Sequence, residues 1–217
     1  FGLGNLVFLA MDIEGWGSLC RLSSLCQTMP HRDPERGIPS GMMTDNSAGL
    51  VCLSGGTRSL LNHLLDINQS EKVRDLLSQL KGIFGDRLYV ELQYQRAADQ
   101  HINHELTALA KSQDLSTVAT NNVHFLSSEQ AGLQRLLSAM RLNCTMDRLT
   151  ADETVSSACD FKPGQQMENL FKEYPEAIAA TQEIVERCNL ELPLGVPHYP
   201  EFPLPPGETP ISTLRQR

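Results

Sequence analysis

The stretch that decides the fold is LSTVATNNVHFL, at residues 115–126. Residues 116–120 have the small and β-branched side chains of a short strand, and Asn121 and Asn122 end it because their side chains compete for backbone hydrogen bonds. His124 follows almost at once. In a parallel α/β fold, residues just past the carboxyl end of a strand line the crevice where ligands bind. The sequence therefore places His124 at a candidate site, although a histidine whose ring caps a loop is the more common case.

Three more runs of strand length precede this one, at residues 5–11, 49–54 and 88–93. Between them the apolar residues recur at helical spacing, as in residues 73–84, and the connections are too long for hairpins. Strands that alternate with helices are typical of an α/β fold with parallel strands. We therefore predict four parallel strands with the helices packed on the outside, and an exposed, irregular connection at residues 30–46 that follows a helix at residues 16–29.

The chain changes character after the fourth strand. Residues 127–130 (SSEQ) match a capping box that opens a helix, which carries on one side Leu133, Leu136, Leu137 and Met140. A polar, irregular segment then separates this helix from two others, at residues 166–174 and 175–189. The second has Pro175 in its first turn and a predicted buried face formed by Ile178, Thr181, Val185 and Cys188. Seven prolines at residues 192–210 predict an extended tether.

Composition limits the class of protein. The chain has 217 residues, of which 41% are hydrophobic, as expected for a globular protein with a real core. The formal charge of -8 and the absence of a basic run make this chain alone a poor nucleic-acid binder. Six cysteines without a C-x-x-C pair favour free thiols in a reducing cytoplasm over a disulfide framework or a zinc knuckle.

The opening of the chain, FGLGNLVFLAM, has the pattern of a core strand. It lacks the basic region and cleavage site of a signal peptide, and its apolar run is too short to span a bilayer. A chain whose first residues already form a buried strand is expected to be part of a longer protein.

Three ionisable residues fall near carboxyl ends of predicted strands: Asp12, Glu91 and His124. Carboxylate and imidazole groups are normal ligands of a divalent metal, which would activate water at an open position. Two ordinary alternatives compete with this interpretation. Asp12 would serve equally well as a helix cap, and Glu91 could point to solvent.

Other combinations of reactive residues carry less weight. His101 and His104 lie one helical turn apart and could share a metal, but their polar neighbours favour a solvated surface. The segment from Ser54 to Gly56 is not a nucleophile elbow, and no cysteine has an adjacent histidine. The sequence therefore predicts no nucleophilic catalysis.

Five blocks of the sequence resemble one family. They are LVFLAMDIEGWGSLCRL at residues 6–22, GLVCLSGG at 49–56, DRLYVELQ at 86–93, VATNNVHFL at 118–126 and EAIAATQEIVERCN at 176–189. In this order they are similar to the polymerase and histidinol phosphatase (PHP) domain of bacterial DNA polymerase III alpha subunits, and about equally to that of the error-prone alpha-like paralogue. The tail from residue 200 resembles the link into the polymerase palm.

The resemblance implies a distorted β/α barrel of seven strands, whose metal-binding members hold divalent ions at the carboxyl ends and cleave phosphoesters. Several positions depart from that pattern. Gln95 stands where a histidine is expected, Gly55 or Gly56 where a cysteine is expected, and Asn122 where an aspartate is expected, and only His124 matches. Because an amide lacks the negative charge that a hard cation needs, these changes predict a degenerate site in which His124 and Glu91 are remnants.

We therefore expect a partial PHP barrel at residues 1–142 that lacks its N-terminal part, a helical extension at 143–191 and a linker at 192–217. The expected parent is a cytoplasmic DNA-directed DNA polymerase for replication or error-prone repair. This chain would be structural and without a cofactor, and Zn, Mn or Mg would bind only if the parent completed the site. The alternative is an active metal-dependent phosphoesterase or 3′-5′ exonuclease.

The resemblance also implies the partners. They are the polymerase domains of the same chain and, as candidates, a proofreading subunit or another replisome subunit. DNA would be bound through the parent only, and no membrane is expected.

Overall fold

The computed structural model describes residues 4–28, 38–150, 153–197, 203–204 and 206–216. The strands are β1 (Val7–Ala10), β2 (Leu50–Leu53), β3 (Leu88–Leu92) and β4 (Ser116–Ala119). The helices are α1 (Ile13–Thr28), α2 (Ser40–Asp45), α3 (Leu60–Asp66), α4 (Ser70–Phe84), α5 (Asp99–Ser112), α6 (Ala131–Leu142), α7 (Gly164–Leu170), α8 (Pro175–Arg187) and α9 (Pro210–Gln216). The predicted α/β class and the positions of the four strands are confirmed.

The strands form one sheet in the order β1-β2-β3-β4. β2, β3 and β4 are parallel, with Leu53 opposite Tyr89 and Glu91 opposite Val118. β1 runs antiparallel to β2, with Ala10 opposite Leu50. The prediction of four parallel strands is therefore wrong for β1. A continuous apolar run is buried equally well in either direction, so the sequence pattern does not specify the sense of pairing.

The antiparallel pairing brings the end of β1 to the start of β2. Asp12 caps α1 there, because its Oδ1 accepts a hydrogen bond of 2.8 Å from the backbone N–H of Gly15. A Cβ on Gly15 would lie 2.0 Å from the carbonyl oxygen of Gly49, so α1 approaches β2 as closely as a glycine allows. Asp12 thus lies at the amino end of the parallel strands, at the opposite edge of the sheet from their carboxyl ends. Of the two predicted roles, metal ligand and helix cap, the structure shows the helix cap.

One face of the sheet carries Leu50, Cys52, Leu88 and Val90, all almost fully buried. The helices that cover it are α3, α4 and α5, whose buried residues recur at helical spacing: Leu61, Leu64 and Leu65; Val73, Leu77, Leu80 and Phe84; Ile102, Leu106 and Leu109. Burial of these side chains is the main stabilising term, since each fully buried Leu or Phe contributes about 1.5–3 kcal/mol. This face contains most of the core.

The opposite face is covered by α8, so helices lie on both faces of the sheet and not only on one outer side. Ala177, Ala180 and Ile184 are the buried residues of α8. The hydroxyl of Tyr89 donates a hydrogen bond of 2.6 Å to Glu183, and Arg187 donates one of 3.0 Å to the same hydroxyl. These contacts tie α8 to β3 at the amino edge of the sheet.

The buried face predicted for α8 was wrong. Val185 is 64% exposed, Thr181 is exposed, and Ile178 and Cys188 are half-buried. The helix is rotated so that two alanines meet the sheet, because small side chains let the helix backbone approach closely.

One other segment differs from the predictions. The irregular connection expected at residues 30–46 contains α2, while residues 29–37 lie outside the described part of the chain. The capping box at Ser127 and Gln130 is confirmed, and the apolar residues that share one side of α6 are exposed: Leu133, Leu136, Leu137 and Met140.

Past β4, the chain pairs with a later segment. The N–H of His124 donates to the carbonyl oxygen of Cys159 (2.8 Å), and the N–H of Phe161 donates to that of Phe125 (2.9 Å). The parallel bridge between Phe125 and Asp160 is the only one outside the named strands in the described residues, and it does not close the sheet. The arrangement is compatible with part of a β/α barrel. No helix in the described ranges has the length and apolar character needed to cross a membrane.

Candidate functional site

A hydrogen-bonded polar cluster lies at the carboxyl edge of the parallel strands and is centred on Glu91. Successive strand residues point to opposite faces, so Glu91 shares a face with Tyr89 and Gln93. The side chain is buried, with 5% exposed. Its backbone N–H donates to Ser54 Oγ (2.9 Å), which fixes the end of β2 against β3. The alternative in which Glu91 points to solvent is therefore wrong.

Both oxygens of the Glu91 carboxylate accept hydrogen bonds. Oε2 accepts from the backbone N–H of Gly55 (3.0 Å), and Oε1 accepts from Gln93 Nε2 (2.8 Å) and from the hydroxyl of Thr120. A buried carboxylate is tolerated only with such partners, because leaving it unpaired would cost several kcal/mol. Three donors from three different segments thus stabilise the charge.

Gln93 links Glu91 to the rest of this cluster. Its Oε1 accepts from the backbone N–H of Thr57 (3.2 Å) and from Gln95 Nε2 (2.9 Å), and its Nε2 also donates to Thr120 Oγ1 (3.0 Å). We call the set Glu91, Gln93, Gln95, Thr57 and Thr120 the amide network. Gly56 makes it possible, because its missing side chain leaves the space that the Gln93 carboxamide occupies.

The amide network does not fit a metal cluster. The groups that converge on Glu91 are N–H and O–H donors, which point their positive ends at the carboxylate and so take the positions a cation would need. No set of three His, Cys, Asp or Glu residues with metal-binding geometry occurs within the described residues. Asp12 is at the other edge of the sheet, and Gln95 supplies an amide where an imidazole was expected.

Glu91 also affects a neighbouring thiol. Burial, and secondarily the negative charge of Glu91, raise the pKa of Cys52 to about 12. The thiol therefore stays protonated at any physiological pH and behaves as a small apolar side chain.

His124 lies outside the amide network. Its side chain is exposed and lines an open cleft, while none of the hydrogen bonds described for Glu91 involves it. Asn122 is half-buried beside it in the chain. The structure thus separates the two predicted remnants into a buried cluster and a solvent-facing cleft.

His101 and His104 occupy the exposed side of α5, as the surface interpretation predicted. His101 Nε2 lies 3.2 Å from Glu105 with 78% of its side chain exposed. His104 is also exposed. Neither contributes to the carboxyl edge of the sheet.

Gln93, Thr57 and Thr120 were not among the predicted site residues. The sequence does contain a pattern that indicates Gln93. Glu91, Gln93 and Gln95 alternate along one strand and its extension, so their side chains must share a face. Thr57 and Thr120 could not be found in this way, because they are brought in by the pairing of β3 with its neighbours.

Comparisons with known proteins give the relatives of this chain. Residues 2–95 match the PHP domain family. The chain is 32% identical to the DNA polymerase III alpha subunit of Pseudomonas aeruginosa over 94% of its own length and 18% of that protein. It is 31% identical to error-prone DNA polymerase 1 of Agrobacterium fabrum, over 98% of the chain and 18% of that protein. The chain therefore spans less than a fifth of the length of these curated relatives.

Proposed function

Because this chain is homologous to DNA polymerase III alpha subunits and carries a PHP domain match, we propose that it is the PHP region of an alpha-type DNA polymerase with a structural role. In this role the region supports neighbouring polymerase domains and does not hydrolyse phosphoesters through a metal cluster. The parent protein would be a cytoplasmic, DNA-directed DNA polymerase.

The observation that carries this proposal is that both carboxylate oxygens of Glu91 already have hydrogen-bond donors within the chain. Its two carboxylate oxygens accept hydrogen bonds from Gly55, Gln93 and Thr120. A divalent cation would have to displace these donors and leave buried N–H groups unpaired, at about 1–3 kcal/mol each. One carboxylate with such a penalty and one exposed imidazole make a poor site for a divalent ion.

The interaction role is supported by the surface of α6. Leu133, Leu137 and Met140 are 55%, 55% and 69% exposed on a helix that ought to bury an apolar stripe. An apolar stripe of this kind is typical of a contact surface. Polymerase domains of the parent, or a proofreading or other replisome subunit, are the partners that the homology suggests.

The experiment compares metal content, stability and activity on the same preparation. Elemental analysis follows dialysis against Mn²⁺ or Zn²⁺, the melting temperature is measured with and without EDTA, and hydrolysis is assayed on nitrophenyl phosphate and on a 3′-ended DNA strand. We expect no stoichiometric metal, no effect of EDTA and no hydrolysis.

The competing function is a metal-dependent phosphoesterase or 3′-5′ exonuclease. It would be established by stoichiometric metal together with activity that His124→Ala abolishes. His104→Ala is the matched control, since His104 is exposed on α5 away from the cleft. Equal loss in both variants would point to a general effect on folding instead.

A further inference from the structure

Residues 156–162 lie between α6 and α7 in the chain and run along the carboxyl edge of the sheet, and we call them the strap. At its first residue, Ser156 Oγ donates a hydrogen bond of 2.9 Å to the backbone carbonyl oxygen of Gln95, which follows β3. Near its other end, the bridge between Phe125 and Asp160 joins it to the segment that follows β4. The strap therefore spans the ends of two neighbouring strands and contacts the amide network at Gln95.

The contacts that attach the strap to the sheet are polar. Apart from the bridge and Ser156, Asn121 Nδ2 donates to the backbone carbonyl oxygen of Asp160. The strap buries little apolar surface in return, since Cys159 is fully buried but Phe161 is 63% exposed. Segments with few buried apolar contacts open at a lower free energy than the strands of a core.

A second set of contacts lies inside the strap. Lys162 Nζ donates to the backbone carbonyl oxygen of Ala158 and to the carboxylate of Asp160. These bonds join the strap to itself and not to the sheet, so they need not break when the strap leaves the sheet. They favour movement of the strap as a unit over fraying one residue at a time.

The chain on both sides of the strap is anchored. Ser138 and Ala139 of α6 are buried, and Phe171, just after α7, is fully buried in the main core. Gly164 begins α7 directly after the strap, and a Cβ there would meet nothing within 4 Å. The strap thus has room to pivot at this end without disturbing the helices beside it.

We propose that the strap opens and closes as a unit while the sheet and its helices stay folded. In the closed state it covers the thiol of Cys159. Opening exposes this thiol and frees the backbone N–H of His124 and the carbonyl oxygen of Phe125, both paired with the strap when it is closed. Free groups of this kind beside an outer strand accept an added strand. The strap therefore controls access to the carboxyl end of the β4 edge.

The test is labelling of thiols in the folded 217-residue chain by iodoacetamide at pH 8, read by mass spectrometry of peptides. The reagent is kept at concentrations where the rate is proportional to it, so that each rate reports an opening equilibrium. Cys52 is fully buried in β2 and reports global unfolding, whereas Cys20 is exposed and reports the rate for a free thiol.

We expect Cys159 to be labelled more slowly than Cys20 but at least about 10-fold faster than Cys52. Urea below the unfolding transition should barely change the rate at Cys159 and should raise the rate at Cys52, because opening the strap exposes little surface. Equal rates and equal urea dependence at Cys159 and Cys52 would overturn the proposal. Labelling of Cys159 as fast as Cys20 would overturn it too, since the strap would then not be closed.

Two variants separate the strap from the core. Ser156→Ala removes the hydrogen bond to Gln95 and should speed labelling of Cys159 by about 2- to 10-fold, while Ser157→Ala at the exposed neighbour should change it by less than about twofold. Ile102→Val, in the core contact of α5, should speed labelling of Cys52 by about 2- to 10-fold and leave Cys159 unchanged. Acceleration of both thiols by Ile102→Val, or no effect of Ser156→Ala, would contradict the proposal.

Hydrogen exchange tests whether the strap moves as a unit, and it needs no variant. The backbone N–H groups of His124 and Phe161 are both bonded across the bridge. We expect them to exchange with the same opening free energy as Cys159 labelling and with the same weak dependence on urea. Exchange of one of them alone by this route would show fraying and would overturn movement as a unit.

Discussion

The carboxamide of Gln93 fills the space above Gly56, so that a Cβ at position 56 would lie 2.3 Å from Gln93 Cδ. Gly56 also has φ +59°, which side chains rarely adopt. Gln93 cannot move cheaply, because its hydrogen bonds hold Thr57, Gln95 and Glu91. We therefore expect Gly56→Ala to lower the free energy of unfolding by about 1–3 kcal/mol, measured by urea denaturation.

Gly82→Ala is the control for that substitution. Gly82 lies inside α4, and nothing lies within 4 Å of a Cβ at this position. The same change should stabilise the helix by about 0.5–1 kcal/mol. Two variants with equal and small effects would show that the contact between Gly56 and Gln93 is not tight in solution.

Glu91→Gln places an amide among donors that need an acceptor. At least one of the three hydrogen bonds from Gly55, Gln93 and Thr120 must be lost, and a buried donor is left unpaired. We expect the free energy of unfolding to fall by about 1–3 kcal/mol in thermal or chemical denaturation. Glu168→Gln on the exposed side of α7 should change it by less than about 0.5 kcal/mol. A stabilising effect of Glu91→Gln would indicate that the carboxylate is strained by repulsion.

The six free thiols should differ sharply in reactivity. Because burial raises the pKa of Cys52 to about 12, its thiol is neutral and inaccessible at pH 8, whereas Cys20 is exposed. We expect rapid labelling of Cys20 by a thiol reagent and labelling of Cys52 only after unfolding, read by mass spectrometry of peptides. The pKa of the Cys52 thiol is higher in the folded chain than in the unfolded chain. The contribution of this thiol to the free energy of unfolding is therefore complete below about pH 8.5 and is lost as the pH rises towards 12.

Asp160 and Lys162 form an ion pair whose lysine side chain is only 7% exposed. The hydrogen bond from Lys162 lowers the pKa of Asp160 below its ordinary value. The contribution of the pair is therefore complete above about pH 4 and is lost as the pH falls below it. The stability difference between the unmodified chain and Lys162→Met should be constant from pH 7 to 5 and shrink below pH 4. Lys172→Met, at an exposed position, should give no such pH dependence.

The exposed apolar side of α6 should promote self-association. Leu137 is 55% exposed and Met140 69% exposed, next to further apolar residues of the same helix. Light scattering at increasing concentration should show oligomers or aggregates, and Leu137→Lys should reduce them. Lysine at exposed Ser157 serves as the control for added charge. A stable monomer at high concentration would contradict this prediction.

The positions of the strands were predictable because each is a short run bounded by turn residues. The direction of β1 was not, since its continuous apolar run can be buried in a parallel or an antiparallel pair, and the antiparallel pairing of Ala10 with Leu50 leaves no mark in that pattern. The helix α2 could not be predicted from the sequence pattern either. Its six residues, SGMMTD, are too few to show a helical period, and its formation depends on neighbouring structure.

The site was only partly predictable. Glu91 and Gln95 were found by position, but the role of Gln93 depends on donors from the turn after β2 and from Thr120, which are distant in sequence. The buried face of α8 was misplaced because Ile178, Thr181, Val185 and Cys188 recur at helical spacing, as Ala177, Ala180 and Ile184 also do, and spacing alone does not choose between the two faces. Ala177 and Ala180 occupy that face because the sheet is close, which is a property of the packing and not of the helix alone.

The hydrogen bond between Tyr89 and Glu183 joins residues 94 positions apart. During synthesis on a ribosome, the sheet face that carries Val51, Leu53 and Tyr89 therefore stays uncovered until α8 has left the exit tunnel. A nascent chain that ends before α8 exposes this apolar face of the sheet, and its packing waits for a helix whose Glu183 lies 94 positions after Tyr89. Chaperone dependence of folding in the cell would follow from the order in which the residues are made.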